Sequence, residues 1–165
     1  MDGMKVPLEG NQIQILGESG MRFAPPNITR DRKDGHKMGR VVSHVRITNL
    51  LDPEKTVECD ALVDTGAAYM VLPKAWQSRL GKLKVIREID CETATQELVR
   101  APVCGPVEIR VEGFDPVYGE VLFLDMTPAN GIYEPLIGYI VLEQCQAAVD
   151  MLGLRLIHVK KTDLK

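Results

Sequence analysis

From about residue 41 onward, apolar and polar positions alternate with a period of two, the mark of strands with one buried face. Val41-Val42-Ser43-His44-Val45-Arg46-Ile47 is the first such run, Leu51-Asp52-Pro53-Glu54 reads as a turn, and 56–63 is a second strand. Together they form a hairpin that ends at Asp64. The apolar run Tyr69-Met70-Val71-Leu72 follows, and Pro73 then opens a short helical stretch over 74–80 that Gly81 closes. Further strands are predicted over 84–91, 98–103, 107–111 and 118–124, each bounded by Gly or Pro. Pro135-Leu136-Ile137-Gly138 leads into a short helix over 139–146, and the strand pair 148–151 and 155–159 flanks the turn Leu152-Gly153-Leu154. The pattern is mainly β with one or two short helices. Residues 1–40 differ: Gly10, Gly17, Gly20, Pro25-Pro26, Gly35 and Gly39 break them up, so they are expected to form an irregular extension to a domain over 41–165.

Composition narrows the function classes. A chain of 165 residues has room for one core of ordinary size. With 20 basic and 23 acidic residues and a net charge of -3 there is no cationic surface to hold phosphates, and the Arg30 to Arg40 cluster is interrupted by Asp31 and Asp34, so no nucleic-acid partner is expected. No apolar run approaches the ~20 residues of a membrane span, and the N-terminus carries no secretory signal pattern. No membrane contact and a cytoplasmic location are the expectations. Cys59, Cys91, Cys104 and Cys145 lack the paired spacing of a zinc site and are read as free, packed thiols. His36, His44 and His158 have no ligand spacing either, so neither metal nor cofactor is expected. Gly17-Glu18-Ser19-Gly20 is one residue short of a nucleophile elbow. Composition leaves a cysteine nucleophile open, although no Cys sits at a recognisable helix start beside a His.

The chemistry-bearing motif is Ala61-Leu62-Val63-Asp64-Thr65-Gly66-Ala67, followed by Val71-Leu72-Pro73 and, about seventy positions later, by Pro135-Leu136-Ile137-Gly138. These elements, in this order, resemble the retropepsin-like aspartic proteases of the retroviral type, particularly their compact prokaryotic members, over roughly residues 41–160. An Asp before Gly at a strand end is also a common turn, so the surrounding apolar elements carry the resemblance.

The resemblance implies a single-lobe closed β-barrel of the acid-protease fold that works as a two-fold dimer. It makes Asp64 the catalytic carboxylate of each chain. Thr65 would brace the two loops across the dimer, and Gly66 and Ala67 would complete the loop, Gly66 through its amide and through backbone angles closed to other residues. Ile137 and Gly138 would pack behind it. A flap is expected over 90–97, around Glu92, Thr93, Ala94 and Thr95, where an extended peptide could add as a strand. That segment has no glycine, which the family commonly places at the flap tip, and Ala68 stands where many relatives carry a polar residue.

The chain holds a single Asp-Thr-Gly, so a second carboxylate would come from a second copy by two-fold symmetry. Two carboxylates about 4 Å apart repel by ~4 kcal/mol at an effective dielectric of about 20, and so share one proton. The function implied is an aspartic endopeptidase acting on a peptide or protein substrate. The alternative is a non-catalytic protease-like module for dimerisation or peptide binding. Residues 1–40 are expected to be a removable or regulatory segment.

Overall fold

The computed structural model describes residues 39–92 and 96–159. The extension expected over 1–40 falls almost entirely outside them.

In strand β1 (Val42–Asn49), Val45, Ile47 and Asn49 are buried while Arg46 between them is exposed, as a period of two requires. β1 pairs antiparallel with β2 (Thr56–Val63), Val45 opposite Cys59 and Ile47 opposite Val57. The short strand β3 (Met70–Pro73) is buried at every position and runs into a 3₁₀ helix, η1 (Lys74–Leu80). Asn49 is buried and fully used: its Nδ2 donates to the Leu80 carbonyl at 2.8 Å and its Oδ1 accepts the Leu51 N–H at 2.8 Å, tying the end of β1 to the end of η1.

β4 (Lys84–Glu92) and β5 (Leu98–Val111) form a long hairpin, with Glu92 opposite Leu98. The two strands expected at 98–103 and 107–111 are one strand. Gly105 and Pro106, which look like punctuation, sit where the pairing of β5 with β6 (Val117–Leu124) shifts register between Cys104 and Val107, and a bulge can hold a proline without ending the strand.

Leu136 and Ile137, expected only to lead into a helix, form a strand of their own, β7 (Leu136–Ile137), ahead of helix α1 (Tyr139–Gln144). A separate antiparallel pair, β8 (Ala147–Asp150) and β9 (Arg155–His158), closes the described part of the chain.

The main sheet has the order β1-β2-β7-β3-β6-β5-β4, and β1 also pairs with β5. β5 therefore uses one edge twice: its first half carries β4 and its last residues, Val107 to Val111, carry β1. The second pairing closes β1, β2, β7, β3, β6 and β5 into a ring and leaves β4 outside it. This is a mainly β fold with a closed sheet, as expected. Inside lies a core that includes Val45, Ile47, Met70, Leu72, Ile109 and Phe123; each such side chain contributes about 1.5–3 kcal/mol by leaving water. Val71, Val103 and Leu122 neighbour ring-core residues on their strands and, with Ala101, form a second cluster on the opposite face.

Candidate active site

Asp64 follows the last residue of β2, and the segment from Asp64 to Tyr69 connects β2 to β3. β7 lies between those two strands, parallel to β2 (Val63 opposite Ile137) and antiparallel to β3 (Val71 opposite Leu136). Both stems of the loop are thus held on one short strand. The Asp64 N–H donates to the Ile137 carbonyl at 3.0 Å, and the Ala67 N–H donates to the Asp64 carbonyl at 3.2 Å. On the far side, the Tyr139 and Ile140 N–H groups at the start of α1 donate to the carbonyls of Ala67 and Ala68 at 2.9 and 3.1 Å.

Gly138 explains how the helix comes so near. A Cβ at that position would stand 2.3 Å from the Tyr69 carbonyl oxygen and 2.5 Å from the Ala68 carbonyl carbon, so only glycine permits this approach. The Pro135–Gly138 element therefore holds the loop from behind. The structure brings Asp64, Gly66, Ala67, Ile137 and Gly138 together from positions more than seventy residues apart.

Asp64 is half-buried as a residue, and its Oδ1 accepts the Gly66 N–H at 2.9 Å on the solvent-exposed side of the loop. Charge-assisted bonds of this kind fix a carboxylate's direction as well as its energy. Gly66 is not among the glycines with a left-handed backbone. A side chain there would instead be crowded, because its Cβ would lie 3.1 Å from Asp64 Oδ1. Thr65 and Gly66 are exposed at the crown of the loop.

Of the flap candidates, Glu92 ends β4, while Thr93, Ala94 and Thr95 lie outside the described residues. Gln96, two residues before the return strand, has φ 63°, a region glycine usually occupies. Ile89 and Cys91 of β4 pack against the second cluster, and so do Ala67 and Tyr69 of the Asp64 loop. One face of the hairpin thus shares its apolar footing with the loop.

The remaining chemistry-bearing residues lie elsewhere. His44 Nδ1 is 3.1 Å from Asp60 Oδ1 on the β1–β2 pair, beside the Arg46–Glu58 ion pair, and His158 stacks on Phe114. Burial pushes all four thiols up, Cys59 to about 12, the opposite of the lowering that activates a cysteine nucleophile. Among the described residues no group of three or more His, Cys, Asp and Glu side chains could hold a metal ion, and no helix is long and apolar enough to cross a membrane.

Sequence reasoning did not single out Arg87 or Glu120. The Arg87 guanidinium bonds to both Glu120 carboxylate oxygens and to the Tyr69 hydroxyl. Arg87 and Glu120 are 33 residues apart and neither belongs to a motif, so no local signal could have joined them.

No family model matches the chain, and no curated protein matches it. Among solved structures, the chain is similar to the one described as EIAV protease complexed with the inhibitor HBY-793, at 21% sequence identity over 70% of this chain and 92% of that one, with a TM-score of 0.45.

Proposed function

We propose that the chain is one protomer of a homodimeric aspartic endopeptidase of the retropepsin type, with Asp64 from each copy as the acid-base pair. The observation that carries this reading is the Asp64 loop: a carboxylate at a strand end, oriented by the Gly66 amide, on a loop whose stems and back are fastened by Leu136 to Ile140. That construction fits an acid whose direction matters more than a solvent-facing turn does. In the proposed reaction the ionised member of the pair takes a proton from a water that attacks the peptide carbonyl. The protonated member donates a hydrogen bond to the developing oxyanion. Thr65 and Gly66, exposed on the loop crown, are the residues that would meet their counterparts across the two-fold axis. The β4–β5 hairpin is the proposed flap.

Purified protein is expected to cleave an unfolded protein with an acid-shifted optimum and to be slowed by pepstatin-like inhibitors. Asp64→Asn should lower cleavage by a factor on the order of a thousand or more with an unchanged circular dichroism spectrum; retained activity in that variant would remove the reading. A second reading, a non-catalytic peptide-binding module, draws on Ala68, whose methyl side chain adds no polar group to the loop. Under it, Asp64→Asn leaves peptide affinity intact and the wild-type protein never turns over.

A further inference from the structure

Apart from Arg87–Glu120, the ion pairs of the described residues that join two named strands of the main sheet join strands that pair directly, such as Arg46–Glu58 on β1 and β2 and Arg100–Glu88 on β5 and β4. Arg87–Glu120 differs. It spans β4 to β6, with β5 between them. The pairing of β4 with β5 shifts register between Val85 and Arg87, and such irregularities re-aim a side chain. On the intervening strand, Gly105 leaves room for Glu120: a Cβ there would stand 3.1 Å from the Gly119 carbonyl oxygen and 3.5 Å from Glu120 Cγ.

Arg87 makes a forked contact, Nη1 to Glu120 Oε1 at 3.1 Å and Nη2 to Glu120 Oε2 at 2.5 Å, while Nη2 also donates to the Tyr69 Oη at 2.8 Å. Its Cζ lies 5.7 Å from the centre of the Tyr69 ring. Tyr69 is five residues beyond Asp64, and its carbonyl lies against Gly138. One guanidinium thus connects the hairpin, the exit of the Asp64 loop and the barrel wall. Arg87 itself is exposed, and the side chains of β4 that reach partial burial are Ile89 and Cys91.

We propose that Arg87 is a positioning residue for the Asp64 site, fastening the base of the β4–β5 hairpin to Tyr69 and Glu120 so that the described strands keep one register beside the loop. The inference rests on the protease reading. It assigns Arg87 to peptide capture and leaves bond cleavage to Asp64, because a hairpin fixed at its base holds the bound peptide without touching the reacting atoms.

The test is steady-state cleavage of an extended peptide by Arg87→Met, Arg87→Lys and Tyr69→Phe, read together with amide hydrogen exchange of the full chain. Arg87→Met should raise KM roughly tenfold with kcat within about twofold, and Tyr69→Phe should raise KM by about threefold. Arg87→Lys, which keeps charge but not the fork, should fall between wild type and Arg87→Met. Exchange should quicken at the β4 and Tyr69 amides in Arg87→Met and stay unchanged in β1 and β2. An unchanged KM overturns the proposal, and so does a fall in kcat that merely follows a fall in Tm. Exchange needs no turnover, so the two readings fail separately. Faster β4 exchange in a protein that cleaves nothing removes the protease reading and keeps the clamp, whereas unchanged exchange removes the clamp whatever the wild type cleaves.

Discussion

The ring and the β4–β5 hairpin are made of similar alternating strands, yet they are held by different forces. In β1, Val45 and Ile47 are fully buried; in β4, Val85 and Ile86 stay 50% and 42% exposed, and the strand rests on Ile89, Cys91 and the Arg87 fork. The ring is stabilised by apolar burial, which is insensitive to small shifts in angle but lost when a side chain is cut back. β4, the outer strand of the hairpin, hangs on one paired edge and a few directional contacts. Opening it exposes little apolar surface, so its local stability is the lower of the two. Such a division suits a site that must hold a carboxylate still while admitting a chain beside it.

Cutting the core should show the contrast at its largest. Phe123→Ala, in the middle of the ring, should destabilise the protein by about 3–5 kcal/mol, read by urea unfolding; a loss under about 1 kcal/mol would mean that the ring is not the stabilising core. Gly138→Ala forces a methyl group against the Tyr69 carbonyl and should cost about 1–3 kcal/mol, with a larger relative loss of cleavage because the Asp64 loop must shift. An unchanged activity there would separate the loop from its proposed backing. Ile89→Ala in the half-buried hairpin face should cost only about 1 kcal/mol and should quicken hydrogen exchange in β4 alone.

The smallest effect lies outside both regions, in the β8–β9 turn. The Asp150 carboxyl is held below its ordinary 3.8, first by the Gly153 amide and then by Arg155 and the Leu152 amide. A lowered carboxyl contributes stability above its unfolded pKa and loses that contribution as the pH falls through the folded value. The Tm gap between wild type and Asp150→Asn should therefore be constant near neutrality and shrink below a pH of about 3.8. A gap that widened on acidification would contradict the assignment.

Much of the ring was legible because its signal is local. The alternation of Val41 to Ile47 and the turn at Asp52-Pro53 define a hairpin, and Pro73 and Gly81 bracket η1 within a residue. The position of Asp64 at a strand end followed from the same pattern. Long-range pairing decided what was not legible. Leu136-Ile137 is too short to read as a strand and becomes one because β2 and β3 flank it. Gly105-Pro106 looked like a break because a bulge and a turn use the same residues, and neighbours on both edges decide between them. The closeness of Gly66 to Asp64 Oδ1 shows only once the loop is folded. The Arg87–Tyr69–Glu120 junction joins three unrelated segments, and only the folded sheet reveals it.

Everything proposed about catalysis depends on two Asp64 side chains acting as one unit, and mixing tests this directly. Wild-type protein is dissociated and recombined with an equal amount of Asp64→Asn, and cleavage is compared with the same quantity of wild type recombined alone. If each site needs an aspartate from both copies, random pairing leaves about half of the original activity, and an excess of the variant drives it toward zero. Activity unaffected by the variant at every ratio would show that each chain works by itself, and the shared-proton account would fall.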